Sequence, residues 1–257
     1  MKPCPDMFPF PLVALDRTDS TNQYLSRLCN GKQGIVAEFT TVTAEYQTAG
    51  KGQRGNTWEA EEGKNLIFSF VLYPTFLEAR RQFILSQVVS LAVKEELGRW
   101  SDEITIKWPN DVYWRDRKIC GILIENDLAG HNIARTISGI GININQEVFR
   151  SDAPNPVSLK QITGKEHDRY TILTHILRRI EVYYNSLRLE APDPYSGGIA
   201  TRYARSLYRC RGLHPYEDAN GKFLARLLRV EQDGRLVLED EKRQERQYQF
   251  KEVRYVI

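Results

Sequence analysis

Two long stretches of the chain repeat their apolar residues at the spacing of a helix. From Glu78 to Trp100 this pattern predicts a long amphipathic helix that lies across a sheet. Thr171 to Leu189 predicts a second long helix, and the APDPYSGG segment after it predicts a break before a shorter helix near Arg202. Asp19 and Ser20 are typical helix N-caps, so a short helix is predicted over TNQYLSRLC, closed by an Asn-Gly pair.

Stretches rich in β-branched and aromatic residues predict strands among these helices. The first two predicted strands, Ile35 to Ala44 and Asn65 to Tyr73, flank a glycine-rich loop. Together with this loop they are expected to form one hairpin that faces a ligand. Helices and strands do not alternate in βαβ order, so we expect an α+β fold with a mixed sheet. The strands predicted in this part of the chain are Ile35 to Ala44, Asn65 to Tyr73, Ile104 to Trp108, Val112 to Trp114, Lys118 to Glu125 and Ile133 to Ile144.

The pattern changes after Tyr208, where short strands are separated by Asn-Gly and Asp-Gly turns. This spacing predicts a small β-barrel of about fifty residues. We therefore expect a larger domain of residues 1–207, which binds the substrates, and a barrel domain of residues 208–257. The predicted barrel strands are Leu213 to Tyr216, Phe223 to Val230, Arg235 to Glu239, Arg246 to Phe250 and Val253 to Ile257.

Charge and cysteine content narrow the class of protein. The chain has 36 Lys and Arg against 33 Asp and Glu, and its net charge of +3 is too small to indicate nucleic acid as the main partner. Its four cysteines are scattered and form no CxxC pair, so we expect a reducing compartment and no structural zinc. The N-terminus lacks the apolar run of a signal peptide, and no membrane-spanning run occurs, so a soluble cytoplasmic protein is expected.

The segment TAEYQTAGKGQRGNTW, from Thr43 to Trp58, is the strongest candidate for a ligand-binding loop. Its glycines Gly50, Gly52 and Gly55 permit close approach of the backbone to a ligand, and Lys51 and Arg54 add positive charge, a combination that suits a phosphate or an adenylate. It is not a Walker A loop, because no Ser or Thr follows a suitably placed Gly-Lys pair. The glycines have GxGxxG spacing, but no helix pattern follows them. A flexible surface hairpin is the alternative.

A second cluster combines KWPND, Lys107 to Asp111, with DRKICGILIE, Asp116 to Glu125. Pro109 within a strand, beside Asn110 and Asp111, indicates a strand end whose polar groups face a cavity. Lys118 lies at a hairpin end, where its ammonium reaches a ligand or else extends from the turn into solvent. Gly121 permits close approach of a flat ligand.

The third cluster is GIGIN, which places Gly139 and Gly141 within one strand. Glycine weakens a strand unless something packs against the bare backbone, so a ligand contact is one explanation. A β-bulge is the other.

Taken together, these motifs resemble those of the biotin protein ligases. The matching segments occur in the family's order and extend over nearly the whole chain from about Leu15. They are DSTN at Asp19 to Asn22, AEYQTAGKGQRGNTW, GKNLIFSF at Gly63 to Phe70, KWPND, DRKICGILIE and GIGIN. The resemblance implies a catalytic fold like that of class II aminoacyl-tRNA synthetases, followed by a small SH3-like barrel.

The resemblance also implies a two-step reaction. Biotin and MgATP form biotinyl-5′-adenylate, and a lysine of a biotin carboxyl carrier protein, part of a biotin-dependent carboxylase, then attacks to give an amide. ATP and Mg²⁺ are the implied cofactors. No enzyme nucleophile is needed, because charge neutralisation and alignment of two bound anions can drive the reaction. Whether the chain forms a homodimer is left open.

Residue roles follow from the same resemblance. Ser20, Thr21, Asn22 and Gln47 are expected to contact biotin, with Gly50, Gly121, Gly139 and Gly141 lining its site. Lys51, Gly52, Gln53 and Arg54 correspond to the loop that closes over the adenylate, and Lys118 to the cation that contacts the biotin carboxylate and the α-phosphate. Trp58, Lys107, Asn110 and Asn143 are assigned to the nucleotide, with no metal ligand specified. Catalytic roles are assigned to Lys118, Arg54 and Asp111, the last as proton acceptor for the carrier lysine.

The loop departs from the family's GRGRxG pattern at Lys51 and Gln53, which replace arginines. Lysine keeps the charge but loses the bidentate fork, and glutamine loses the charge as well. Weaker retention of the adenylate is the expected result.

Three other functions are alternatives to a ligase. Some relatives repress transcription through an N-terminal winged helix, but only eighteen residues precede Asp19 and four of them are proline, so no DNA binding is expected. A lipoate ligase has a similar fold, but the chain has no RRxxGGG segment. A non-catalytic module that holds a regulatory nucleotide is the alternative from another class.

Overall fold

A computed structural model of the chain describes residues 8–31, 35–52, 57–150, 155–189 and 198–257. Within them, seven strands form a mixed sheet in the order β1-β2-β3-β7-β6-β5-β4. β1 and β2 are parallel and the other neighbours are antiparallel. The predicted α+β class is confirmed. The strands are β1 Leu12–Thr18, β2 Thr41–Gln47, β3 Leu66–Leu72, β4 Ile104–Lys107, β5 Asp111–Trp114, β6 Arg117–Ala129 and β7 Asn132–Ile142.

Five helices cover the two faces of this sheet, and both predicted long helices are confirmed. The helices are α1 Thr21–Asn30, α2 Phe83–Leu97, α3 Leu159–Thr163, α4 Arg169–Leu189 and α5 Ile199–Arg205. α1 packs on one face against β2, β3 and β7, and α2 contacts α4, α5, β4 and β5. α2 is buried nearly all round rather than amphipathic, because it lies between the sheet and two other helices.

The sheet separates two sets of side chains, because successive residues of a strand point to opposite faces. In β3, Phe68 and Phe70 pack into the large core under α2 and α4, whereas Val71 packs with Leu25 of α1. Burying each large apolar side chain contributes about 1.5–3 kcal/mol. The α1 face also carries the polar and glycine positions of the strands, and the candidate site lies there.

Several local predictions were wrong. Residues 35–40 are not strand, because Phe39 has a left-handed backbone (φ 63°) and β2 begins only at Thr41. Pro109 lies in the turn between β4 and β5 rather than within a strand. β1 was not predicted, since it follows proline-rich sequence. α3 was missed although Ser158 and Gln161 form a capping box at its start.

The predicted cap of α1 has a different geometry. Ser20 is the N-cap residue, but its side chain makes no capping hydrogen bond. Asp19 instead accepts hydrogen bonds from the Ser20 backbone N–H at 2.7 Å and from Arg27. These bonds, Arg27 foremost, hold the pKa of Asp19 well below its usual value. The Ser20 hydroxyl is therefore not occupied as a cap, and it borders the cavity instead.

The C-terminal part forms a separate antiparallel sheet of five strands in the order β11-β10-β9-β8-β12. Gly221 and Gly234 have φ values of 114° and 91° in the two predicted turns, a conformation that favours glycine. This sheet agrees with the expected SH3-like module, although the proposed boundary at residue 208 stays a prediction. The strands are β8 His214–Asp218, β9 Gly221–Val230, β10 Leu236–Asp240, β11 Glu245–Tyr248 and β12 Arg254–Tyr255.

The five-stranded module packs directly against the larger sheet. The indole N–H of Trp108 donates to the Gly234 carbonyl at 2.9 Å. A Cβ at Gly234 would lie 2.7 Å from the ring of Phe83, so only glycine allows this close packing. The β9–β10 turn is thereby held against the end of β4.

Two further observations concern cysteines and membranes. Cys29, Cys120 and Cys210 are free thiols, and burial raises the pKa of Cys120 well above its usual value. No helix in the described ranges combines the length and the apolar character needed to cross a membrane.

Candidate active site

A cavity of about 120 Å³ lies on the α1 face of the large sheet. It extends from the start of α1 across β7 and β6 to the start of β5, where the barrel reaches it. Most of the predicted site residues line it. They are Ser20, Thr21, Asn22, Gln47, Lys51, Gly52, Trp58, Asn110, Asp111, Lys118, Gly121, Gly139 and Gly141.

Three of the predicted positions that the structure describes do not line this cavity. Gly50, Lys107 and Asn143 are described and lie outside its lining. Gln53 and Arg54 lie outside the described residues. Gly50 supports the base of the loop, because its carbonyl accepts from the Trp58 backbone N–H at 3.0 Å and a Cβ there would lie 2.7 Å from the Trp58 carbonyl oxygen.

A hydrogen-bond network, buried at Ser69 and reaching the surface at Glu125, forms the α1 end of the cavity. The Gln47 amide oxygen accepts from the backbone N–H of Thr21 at 2.8 Å. The Ser69 hydroxyl lies 2.7 Å from the Thr21 hydroxyl and 2.6 Å from the Asn22 amide oxygen. The Asn22 amide N–H donates to the Glu125 carboxylate at 2.7 Å. Each partner fixes the orientation of the next, so this end presents a preorganised set of polar groups.

Ser69 and Glu125 were not predicted as site residues. Ser69 is the one polar residue in the apolar run LIFSFVL of β3, which is the signal that could have identified it. Glu125 ends the KICGILIE motif, but its contact with Asn22 spans 103 residues of sequence. Both lie on strand positions that share a face with the cavity glycines.

Three glycines form the bare floor of the cavity. A Cβ at Gly139 would lie 2.2 Å from Asn22 Oδ1, and one at Gly141 would lie 2.4 Å from Trp58 Cε2. At Gly121 it would lie 2.9 Å from Trp58 Cζ3. The register of β7 with β3 and β6 continues without a shift through residues 139–141, so the bulge explanation is wrong. Close approach is the reason for these glycines, and the groups that approach are protein side chains.

Trp58 is the side chain that covers this floor. Its ring contacts the positions of Gly121 and Gly141, and its indole Nε1 is buried with no hydrogen-bond partner in the described part of the chain. A buried N–H without a partner is unfavourable. The indole N–H is therefore a donor that lies against the floor at Gly141 and lacks an acceptor in the described structure.

Lys118 and Asp111 supply the charges in the middle of the cavity. Lys118 Nζ lies 2.7 Å from Asp111 Oδ2, and both side chains are 31% exposed. The same ammonium lies 5.9 Å from the centre of the Trp58 ring. Lys118 therefore faces the cavity rather than extending from the turn into bulk solvent.

Lys51 contacts α1 at the cavity edge. In the amide orientation that satisfies both groups, the Gln23 oxygen accepts from Lys51 Nζ at 2.5 Å and its nitrogen donates to Asp19 Oδ2 at 3.1 Å. Lys51 also forms an isolated antiparallel bridge with Thr57. The start of the glycine-rich loop is thus connected to the first turn of α1.

Asn110 and Asn143 lie near the ends of β4 and β7. The Asn110 amide donates to the Ile122 carbonyl at 3.4 Å, and the Asn143 amide donates to the Val157 carbonyl at 3.2 Å. Asn143 is buried, and its Oδ1 has no hydrogen-bond partner among the residues described. Asn143 therefore has an acceptor oxygen that no described residue uses, although the residue lies outside the lining of the cavity.

Lys107 faces the barrel instead of the cavity. Its ammonium lies 3.2 Å from the Tyr113 hydroxyl and 5.2 Å from the centre of the Tyr255 ring. Burial lowers its pKa. The structure therefore does not bring Lys107 together with the other residues expected to bind the nucleotide.

Comparison with known proteins places this chain among the biotin and lipoate protein ligases. Residues 14–143 match the Biotin/lipoate A/B protein ligase family. The chain belongs to this family.

Individual relatives agree with that assignment. The chain is 31% identical over 243 residues to the Bifunctional ligase/repressor BirA of Bacillus subtilis, covering 89% of this chain and 69% of the relative. It is 35% identical over 163 residues to the Biotin--[acetyl-CoA-carboxylase] ligase of Paracoccus denitrificans, covering 60% of this chain and 65% of that protein. The structure of the Aquifex aeolicus biotin protein ligase with biotin and ATP is similar, with a TM-score of 0.76, 27% identity and coverage of 96% of this chain and 99% of that one.

Proposed function

We propose that this chain is an ATP-dependent biotin protein ligase. It activates biotin with MgATP to biotinyl-5′-AMP and transfers the biotinyl group to a lysine of a biotin carboxyl carrier protein. The observation that carries the proposal is the single cavity that joins the Thr21–Gln47 network to the Lys118–Asp111 pair. The family and the names of its relatives, which include biotin ligases, support the same reaction.

Biotin fits the α1 half of the cavity. The polar groups of Ser20, Thr21 and Asn22 suit the ring ureido group, which both donates and accepts hydrogen bonds. Ile67 and Leu123, which line the cavity on the same face as its glycines, add apolar surface for the thioether ring and the valeryl chain. The biotin carboxylate then points toward Lys118.

The adenylation step joins two anions, the biotin carboxylate and the α-phosphate. Lys118 neutralises charge that develops between them, and Trp58 Nε1 donates to an oxygen of the bound adenylate. Lys51, with Gln53 and Arg54, closes over the product. The carboxylate oxygen attacks phosphorus, and pyrophosphate leaves with the electron pair of the broken bond.

We propose that Mg²⁺ binds together with ATP, because the cation neutralises the negative charge of the phosphates. In the described ranges, no group of three or more His, Cys, Asp or Glu side chains could hold a metal alone. Mg²⁺ bound with substrate phosphates needs only one or two protein ligands. The Asp111 carboxylate, which lines the cavity, is an oxygen ligand that fits this requirement.

The remaining assignments are also proposals. Asp111 accepts the proton that the carrier lysine loses when its amine attacks the adenylate. The modest net charge supports a ligase without DNA binding, and the free thiols support a cytoplasmic location. A homodimer is compatible with this function but has no specific support.

The experiment follows pyrophosphate–ATP exchange by the purified chain with biotin, with lipoate and with no acid. We expect exchange only with biotin, followed by biotin incorporation into a carrier domain but not into one whose target lysine is replaced. Exchange with lipoate alone would identify a lipoate ligase. Nucleotide binding without exchange would identify a non-catalytic module.

A further inference from the structure

We propose that Glu125 is a positioning residue that determines which groups of the biotin site donate hydrogen bonds and which accept them. Glu125 itself lies outside the cavity lining. It acts through a chain of three side chains, which leaves the Thr21 hydroxyl as an acceptor toward the ligand. This inference rests on the proposed ligase function and concerns how the site selects the ureido group, not the chemical step.

The chain joins Thr21 in the cavity to Glu125 at the surface. The Thr21 and Ser69 hydroxyl oxygens are 2.7 Å apart, and Ser69 Oγ lies 2.6 Å from Asn22 Oδ1. The Asn22 amide N–H donates to the Glu125 carboxylate at 2.7 Å. Thr21, Ser69 and Asn22 are buried, whereas Glu125 is exposed. The three buried groups are shielded from water, so they must match one another's donors and acceptors.

The Glu125 carboxylate fixes the orientation of the Asn22 amide. An ionised carboxylate accepts hydrogen bonds and cannot donate one, so the amide must turn its NH₂ group toward Glu125 and its oxygen toward Ser69. Gly139 lets the amide lie close to the sheet, because a Cβ there would be 2.2 Å from Asn22 Oδ1. An exposed charge thereby determines the orientation of a buried side chain.

The orientation of the amide then determines the direction of the two hydroxyl protons. Asn22 Oδ1 has no proton, so the Ser69 hydroxyl must donate to it. Ser69 has no second proton, and its oxygen therefore accepts from the Thr21 hydroxyl. Gln47 Oε1 is more distant from Thr21 Oγ1, at 3.1 Å, and already accepts from the Thr21 backbone N–H at 2.8 Å. Thr21 Oγ1 consequently presents lone pairs to the cavity.

An acceptor at Thr21 selects a ligand that donates. A ureido N–H of biotin donates to Thr21 Oγ1, whereas a ring oxygen in its place would face lone pairs. Sites that form a hydrogen bond to a substrate group discriminate strongly against analogues that lack this group. Without Glu125 the Asn22 amide can turn over, the protons of the chain can reverse, and Thr21 can donate. Loss of Glu125 should therefore reduce selectivity as well as affinity.

The test measures selectivity in the full-length chain by calorimetric titration. The ligands are biotin and its two carbamate analogues, in each of which one ring N–H is replaced by oxygen. We expect the unmodified chain to bind at least one analogue about thirtyfold more weakly than biotin. For Glu125→Ala, biotin affinity should fall about tenfold while the affinity for that analogue changes by less than twofold. The ratio of the two affinities then falls to about threefold.

Three further variants separate the acceptor role from other effects. Glu125→Gln can still accept through Oε1, so its biotin affinity should stay within threefold of the unmodified value. Ser69→Ala breaks the chain without altering Glu125 and should reduce the ratio in the same way, with the double variant binding biotin no more weakly than Ser69→Ala alone. Asp127→Asn is the matched control, because it removes an exposed carboxylate that pairs with Arg135 on the same face of β6.

Equal weakening of biotin and both analogues by Glu125→Ala would show that Glu125 only anchors α1 to β6, and would overturn the proposal. An unchanged ratio in Ser69→Ala would overturn it as well. The same conclusion follows if Glu125→Gln binds no better than Glu125→Ala, or if the unmodified chain binds both analogues as tightly as biotin. Circular dichroism checks the fold of each variant. Absence of biotin binding by the unmodified chain would instead refute the ligase function itself.

Discussion

Lys118 and Asp111 form an ion pair across the β5–β6 hairpin, with 2.7 Å between Nζ and Oδ2. The pair keeps the ammonium at the cavity wall, between the biotin half and the β5 side. When an anionic substrate enters, the same ammonium can contact it with little movement. A preorganised charge of this kind stabilises a transition state more than a mobile one does.

Replacing Lys118 should therefore damage adenylate formation. For Lys118→Ala we expect a loss of about 2–4 kcal/mol of transition-state stabilisation, which is the range for removing one preorganised donor. Biotin-dependent pyrophosphate exchange measures it, and Lys222→Ala, an exposed barrel lysine, is the control. Near-normal exchange by Lys118→Ala would remove this residue from its assigned role.

Replacing Gly141 tests whether biotin binding requires the Trp58 ring to lie on the cavity floor. An alanine Cβ there would lie 2.4 Å from Trp58 Cε2, so the ring has to shift. We expect Gly141→Ala to weaken biotin binding at least about tenfold, equivalent to about 1.4 kcal/mol. Calorimetric titration measures the affinity, and circular dichroism checks the fold.

Gly198→Ala is the control for this change, because no atom lies within 4 Å of a Cβ built at Gly198. If Gly141→Ala binds biotin as tightly as the unmodified chain, the Trp58 position seen here is not needed for binding.

Site residues could be predicted where a short stretch of sequence contains the signal. They could not be predicted where the role depends on contacts between residues far apart in sequence. α2 and α4 follow from apolar periodicity, and the glycine and lysine positions follow from compact motifs. Ser69 and Phe250 reach the site only through folding. Ser69 meets Asn22 across 47 residues of sequence, and Phe250 reaches the cavity from another sheet. A local pattern can mark a buried polar residue such as Ser69, but it does not show which distant residue that side chain contacts.

The difference between local sequence signals and contacts formed on folding also explains the errors in the predicted fold. β1 is an edge strand that pairs with β2 in the described structure, and its position depends on that parallel partner rather than on its own sequence. Lys107 belongs to the same sequence motif as Asn110 and Asp111, and its predicted role follows from this proximity in sequence. The β4 strand ends at Lys107, and its side chain packs against Tyr113 and Tyr255, away from the cavity.

The prediction for Gln53 rests on the sequence alone, because this residue lies outside the described residues. An arginine at this position would restore a charged, bidentate contact to the adenylate phosphate. We expect Gln53→Arg to slow release of biotinyl-5′-AMP, measured by stopped-flow dissociation from the preformed complex. Lys222→Arg adds no charge near the cavity and serves as the comparison. Equal or faster release would contradict the expectation.

The acid stability of the barrel should depend on Asp240. Its pKa lies below the usual value because the backbone N–H of Gln244 donates to it, with further bonds from Arg246 and the Lys242 backbone. A carboxylate with a lowered folded pKa stabilises the folded state above its unfolded pKa of about 3.9, and this contribution is lost as the pH falls through the folded value. At neutral pH, Asp240→Asn should therefore unfold at a lower urea concentration than the unmodified chain.

The difference should shrink as the pH falls below about 3.9, and the two proteins should become equal only below the lowered folded pKa of Asp240, where the folded side chain is also uncharged. Urea unfolding monitored at several pH values measures the difference, and Glu241→Gln, an exposed neighbour, is the control. A stability difference that stays constant from neutral to acid pH would show that Asp240 acts through its shape and hydrogen bonds rather than its charge. In that case the pH dependence of the barrel's stability must come from other carboxylates. Asp218 is the next to replace, because it accepts a hydrogen bond from Tyr248 and its pKa is also lowered.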